Sequence, residues 1–550
     1  MTQNSTTNAW LNNTKIPTDT LKKITSSTEG NTDITYKKST QYYDNSNNLL
    51  NPNLPLNLTT VSQITINDGN GNSETTSYSY EGGSYFFNTA LDRKFAGFNK
   101  VSETDSISNT TTTYYHQGNS SDGTHGEYND DEWKIGKPYR VETADSSGNI
   151  YSKAINKWDD SDLGNGSKFV KLAQTIDSTY DGDTTHKDKA EAYVYDNLNG
   201  NLLQKTEYGE VVGNDNGSFG DIGNDSFTTN YTYAIESAKS KVASQNTVNQ
   251  NSNKVKESLY YYDNLPLGQL SKGNQTKEEK WKNGNTYVNI QKSYRGYGLV
   301  KESVDANGNP TNYAYDNFNL YPATITNALN QTVNLAYDYS TGQVKQKIDP
   351  NHRVFQYAYD GLGRLLSEKQ PDLVDPSSLV VRTSYIYTDT PNNVATQKTD
   401  YLDDSTSIDT YTYFDGLGRK IQEKKEAEDG YSVKDYVYNN RGLLDKESLP
   451  YNSSGSARTA PTTTSELYTN YTYDPAQRVT ASVNNLGTIT NTYNDWKLTI
   501  TNANGKTKDL SKDAYNNLIQ VDEHPSISSG PATTYYSYDY LGDLTKITDA

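Results

Sequence analysis

The sequence predicts an all-β protein built as an array of β-hairpin repeats, and three observations carry that expectation. A Tyr-Asp step recurs in phase at Tyr315-Asp316, Tyr337-Asp338 and Tyr359-Asp360, each 22 residues from the next; such a period marks a one-dimensional array. Short alternating runs bounded by turn clusters, such as Thr32 to Tyr36 and Val61 to Ile66, fill the chain from end to end. No segment holds a 3.6-residue apolar period for three turns with caps, so no helix is expected.

The unit can be built from its residues. In Tyr357-Ala358-Tyr359-Asp360-Gly361-Leu362-Gly363-Arg364-Leu365 the two Tyr stand two apart, on one face of a strand. Asp360 ends that strand and can fold its carboxylate onto following backbone N–H groups. Gly361 and Gly363 permit the reversal, and Arg364 opens the return strand. A Gly/Asn turn then resets the chain, as at Asp68-Gly69-Asn70-Gly71, Ser147-Gly148-Asn149, Asn307-Gly308-Asn309 and Asn504-Gly505.

Related units stand at Tyr193-Val194-Tyr195-Asp196, Tyr260-Tyr261-Tyr262-Asp263 and Tyr313-Ala314-Tyr315-Asp316. They continue at Tyr411-Thr412-Tyr413-Phe414-Asp415-Gly416-Leu417-Gly418-Arg419, which carries one inserted residue. Tyr436-Val437-Tyr438-Asn439, Tyr471-Thr472-Tyr473-Asp474 and Tyr536-Ser537-Tyr538-Asp539 complete the set. The rhythm divides the chain into a strand-rich segment 1–150, degenerate repeats with loop insertions such as Val211 to Ser226 over 151–296, and regular repeats over 297–550. Each hairpin adds about 9–10 Å of sheet width, so roughly 20 of them would make a sheet about 200 Å wide. A sheet of that width cannot stay flat and must curve or spiral.

Composition limits the function classes. Apolar residues make up 32% of 550 residues and mean hydropathy is −0.91, low for a chain with one thick core. Disorder is the alternative for such a composition, but 48 Tyr at fixed offsets argue against it. The net charge of −18 and the lack of a basic stripe speak against a nucleic-acid partner. Lys277 to Lys282, a mixed-charge run, reads as a solvated loop. No apolar stretch is long enough to span a membrane, and without cysteine no disulfide framework or thiolate metal site is possible. Met1 to Asn13 is polar and reads as no signal peptide, which leaves another export route or an internal piece of a longer protein.

Each candidate site in the sequence also has a plainer role. His116 and His125 stand near Asp122 and Glu127, which suggests a metal or acid/base site, but metal ligation needs three or four convergent ligands, which spacing alone does not show. A polar loop accounts for them, and no metal, cofactor or catalytic residue is expected. Asp68 to Asn72 and Asp305 to Asn309 resemble calcium loops yet lack the terminal bidentate Glu. Exposed rings among Tyr313, Tyr315, Tyr357, Tyr359, Tyr471 and Tyr473 could stack on sugars; their fixed phase favours packing between hairpins. Arg364 and Arg419 could hold an anion, but a ring or Asp contact to the adjacent repeat fits better.

Tyr357 to Leu365 and Tyr411 to Arg419 resemble the Y-x-Y-D-x-x-G-R motif of the YD-repeat, or Rhs, family, and the recurring motif covers about residues 190–550. The stretches Tyr78 to Gly83, Arg93 to Phe98 and Lys134 to Pro138 are similar to the segment ahead of the repeats in the B component of bacterial toxin complexes and SpvB-like proteins. The resemblance implies a hollow shell of spiralled hairpins around a toxic cargo. It also implies a non-catalytic, secreted or surface-borne segment whose partners are the enclosed toxin and the rest of the shell. Asp474-Pro475-Ala476-Gln477-Arg478 begins like the D-P-x-G-L signature of the family's self-cleaving core domain but lacks its Gly, so autoproteolysis does not carry over; the upstream propeller has no counterpart. The competing class is an adhesin or carbohydrate-binding repeat protein, with cell-surface glycans as partners.

Overall fold

Turn chemistry sets the architecture. The computed structural model describes residues 19–119, 121–164, 166–390, 393–403, 405–525 and 530–549. Within them, 39 strands form one sheet, and Ser84–Phe87 pairs separately with Arg93–Gly97. Apart from a few short side pairings, each strand pairs antiparallel with the next along the chain, from Lys23–Thr25 with Asn31–Lys38 to Ala532–Tyr538 with Leu544–Thr548. The first and last strands do not pair, so the ladder stays open. Helix is confined to five short 3-10 turns among the described residues. The all-β hairpin array read from the sequence holds.

One turn recurs on both edges of this ribbon. Asp360 Oδ1 accepts the N–H groups of Leu362 and Arg364, both at 2.9 Å, and its Oδ2 takes Arg364 Nε at 2.7 Å. Gly363 sits at φ +80°, the left-handed position that closes the loop. Asp68 repeats the scheme with Asn70 N, Asn72 N and Asn72 Nδ2 at 2.7, 3.0 and 2.8 Å, and Asp305 does so with Asn307 and Asn309. The loops that resemble calcium sites therefore have their carboxylates engaged by donors. Gly361 and Gly416, one residue after the Asp, are not left-handed.

The Tyr before the turn has a second recurring bond. Its hydroxyl reaches back to a carbonyl at the start of the preceding return strand: Tyr337 to Pro322, Tyr359 to Val344, Tyr473 to Leu444 and Tyr538 to Leu518, at 3.2, 3.0, 2.7 and 2.8 Å. The strand slips register at this same Tyr, between Ala336 and Tyr337 and between Ala358 and Tyr359. Such bulges strengthen the twist of a ribbon.

The wall is thin. Accessible surface is 30946 Å², against about 20,000 Å² for a compact globule of this mass. Buried apolar residues gather in small groups, such as Ile176, Ala190 and Val211 packed with Tyr208 and Phe219. That group corrects the reading of residues 211–226 as a plain loop: Leu202–Gly213 runs through Val211, and Phe219–Asp221 pairs back onto it. Lys277 to Lys282 is likewise strand, within Gln275–Asn283, where alternation sets Lys277 beside Glu279 and over the Tyr261 ring.

Candidate functional site

The Arg that ends the turn box does more than cap its own Asp. Arg364, Arg419 and Arg478 each pair with the Asp four residues earlier, through Nε at 2.7, 2.7 and 2.8 Å. Each guanidinium also lies over a Tyr of a following strand, at 4.2 Å from Tyr387, 4.3 Å from Tyr438 and 4.0 Å from Tyr493. Its remaining nitrogens seek a second carboxylate. For Arg364 this is Asp389, 25 residues on. For the other two it comes from across the molecule.

Those long-range partners define a seam. Arg419 reaches Asp68 at 3.4 Å, Arg441 reaches Asp105 at 3.0 Å, and Arg478 reaches Asp181 at 2.7 Å. Gly416 N donates to Asp68 O at 2.7 Å, while Gly416 O accepts from Thr28 Oγ1 at 2.9 Å. Ser106 Oγ donates to Asn440 O, and Tyr515 OH donates to the carbonyls of Glu207 and Asp225. Phe227 packs edge-on against Tyr515 and Tyr540, at 5.3 and 5.9 Å. Each of these contacts joins residues within 26–227 to residues within 415–540, most of them at turns. The ribbon therefore winds back on itself and its two edges meet.

Burial gives the seam its strength. Asp68 and Asp181 side chains are 3% and 2% exposed. Burial works against the Arg478 charge, but its bonds to Asp181 and Asp474 prevail and hold its pKa above the ordinary value. A strap adds to the closure. Residues 454–462 cross the sheet so that Ser456 O accepts from Tyr413 OH, Gly455 O from the fully buried Lys424, and Thr462 N donates to Asp435. Arg458 then reaches Asn70 at 2.9 Å. Burial lowers the Lys424 pKa, with Asp435 offsetting part of the shift.

The extra residue in Tyr411 to Arg419 has a structural effect. Tyr359 pairs with Leu365 across its turn, whereas the equivalent place, opposite Lys420, is held by Phe414. Tyr411 and Tyr413 are thereby turned to the face of Lys424 and Gln422, under the strap. Elsewhere Tyr313, Tyr315, Tyr357 and Tyr536 are half-buried, Tyr193 packs on Tyr195, and Tyr471 donates to Glu447 at 2.9 Å. Asp196, Asp316, Asp338, Asp415, Asp474 and Asp539 all cap their turns. Gly418 at φ +81° matches Gly363.

One pentapeptide, Asp-Gly-Leu-Gly-Arg, occurs at both 360–364 and 415–419, so the seam carries its own control. A methyl on Gly416 would overlap the Gly30 backbone, whereas one on Gly361 meets nothing within 4 Å. Gly416→Ala should cost about 1–3 kcal/mol, as overpacking does. Gly361→Ala should change stability by less than about 0.5 kcal/mol. Denaturant midpoints check both, and equal effects would contradict the seam contact.

Of the histidine group, the structure brings His116 and Glu127 together and adds Asp130, a residue the sequence spacing did not single out. His125 packs at a tilt against Tyr114 instead, at 5.5 Å, and the Asp122 carboxylate accepts from Thr124. Burial opposes the His116 charge, but hydrogen bonds to Asp130 and Glu127 raise its pKa.

A hairpin ribbon with this turn box is the architecture of YD-repeat, or Rhs, proteins, and the chain resembles that class. Residues 337–372 match the RHS repeat, residues 6–122 the insecticide toxin TcdB middle/N-terminal region, and residues 387–506 a domain of unknown function, DUF6443. No curated protein matches the chain in sequence. Among solved structures, the fold is similar to TcdB2-TccC3, with a TM-score of 0.74 at 13% identity over 96% of this chain. It is similar to TcdB2-TccC3-Cdc42, with 0.76 at 11% over 96%. A Photorhabdus luminescens Tc holotoxin pore gives 0.77 at 12% over 96%. The chain spans 37%, 39% and 38% of those chains.

Proposed function

We propose that the chain is a non-catalytic wall segment of an Rhs-type toxin shell, secreted or displayed at the cell surface, which encloses a toxic cargo. In this reading the Tyr, Asp, Gly and Arg residues of the repeat are structural, and segments 1–150, 151–296 and 297–550 differ in repeat regularity rather than task. The observation that carries the reading is the seam: the edges of a thin ribbon meet through buried Asp–Arg pairs, as the wall of a hollow body would require. Similarity in fold to TcdB2-TccC3 supports it. The partners would be the enclosed toxin and further shell segments.

Electron microscopy of the chain produced together with its neighbouring sequence tests this. A closed particle with internal density that disappears when the cargo is deleted is expected. A straight, lumen-free filament would overturn the proposal. Saturable binding on a glycan array, lost on mutating a few exposed Tyr, would favour an adhesin instead.

A further inference from the structure

The 116–137 loop leaves the ribbon edge between Thr110–Tyr115 and Pro138–Ala144 and gathers three buried donors. His116 Nδ1 lies 3.1 Å from Asp130 Oδ1 and 3.5 Å from Glu127 Oε1, with the side chains 0%, 0% and 3% exposed. One ligand atom from each lies within 4.8 Å of the others. Tetrahedral zinc at about 2.0–2.1 Å from its ligands sets them about 3.3–3.4 Å apart, and the two imidazole distances straddle that value.

The carboxylates are also aimed. Gly118 N and Asn119 N donate to Asp130 at 2.9 and 2.8 Å, and Asp122 N donates to Glu127 at 2.8 Å. Outer donors of this kind orient metal ligands. The other imidazole nitrogen, His116 Nε2, is buried without a hydrogen-bond partner among the described residues. The polar anchoring of the ring therefore comes through Nδ1. Lys134, fully buried in the same loop, spends its charge on the carbonyls of Tyr128 and Asn129.

We propose that His116, Glu127 and Asp130 form a structural site for a divalent transition metal of the zinc class, which fastens this loop in a chain that has no cysteine to do so. A nitrogen with two carboxylate oxygens suits zinc better than calcium or magnesium, which favour all-oxygen shells. Zinc takes the imidazole in its neutral form and the carboxyls as carboxylates, so affinity rises with pH.

The full chain, stripped with a chelator and titrated with zinc chloride, should retain one zinc per chain after desalting. Amide exchange across 116–137 should slow at least tenfold. His116→Gln and Asp130→Asn should each weaken binding tenfold or more, while His125→Gln binds as the parent does. Cobalt substitution of the unmutated chain gives a tetrahedral absorption band and needs no variant to fold. Absence of stoichiometric zinc and of that band, or unchanged affinity in the folded His116→Gln and Asp130→Asn chains, would overturn the proposal in favour of a proton shared by the three groups.

Discussion

Replacing Arg478 with Ala should open the seam between residues 180–186 and 474–478. Arg478 holds Asp474 and Asp181 at 2.7 Å each and lies 4.0 Å over Tyr493. Its loss strands Asp181, 2% exposed, as a buried carboxylate with no cation. Breaking a buried pair on one side costs about 3–5 kcal/mol, equivalent to exchange faster by about 100-fold or more. In a repeat array the damage should stay local. Arg478→Lys keeps the charge but loses the planar fork and the ring contact, so it should fall between parent and Ala. Arg364→Ala is the control: its partners Asp360 and Asp389 are 19% and 44% exposed, and solvent screening limits the effect to about 1 kcal/mol. Hydrogen exchange on the three variants decides the matter, and equal protection in Arg478→Ala and Arg364→Ala would sink it.

Raising the pH from 10 to 12 should unfold the ribbon along much of its length. Burial pushes the hydroxyls of Tyr80, Tyr261, Tyr411, Tyr468 and Tyr471 up to about 12, helped by carboxylates such as Glu279 beside Tyr261 and Glu447 beside Tyr471. In the unfolded chain these groups ionise near pH 10. Their contribution is therefore intact below pH 10 and is lost as pH rises toward the folded value, because the unfolded state releases its protons first. The part of the tyrosinate absorbance that rises above about pH 10.5 should do so together with the loss of the strand signal in circular dichroism. Strand signal that persists to pH 12 while all the tyrosines, the buried ones included, titrate near 10 would contradict this account.

Much of the fold was legible because tight turns have a fixed chemistry. Asp360, Gly363 and Arg364 could be assigned from their order alone, and the same logic reached the resetting turns at Asp68 and Asp305. The inserted Phe414 was visible, but its effect on Tyr411 and Tyr413 follows only when strand alternation is carried through the bulge. The charged run at Lys277 looked like loop because its alternation pairs charges with charges; ion pairing and ring contacts make it a strand. The seam was not legible. Arg419 and Asp68 lie 351 residues apart, and nothing in either turn names the other. Asp130 escaped notice for a related reason: it lies 14 residues from His116, and only the folded loop brings it back.

The span of the seam has a kinetic consequence. A hairpin closes in about 1–10 μs, so the strands can form as soon as each unit leaves the ribosome. Gly416, however, meets Thr28 across 388 residues, and at about 5–20 residues per second the first edge waits roughly 20–80 s for its partner to be synthesised. Throughout that interval the growing strip has its secondary structure but an open flank, and its closing is timed by translation rather than by the hairpins themselves.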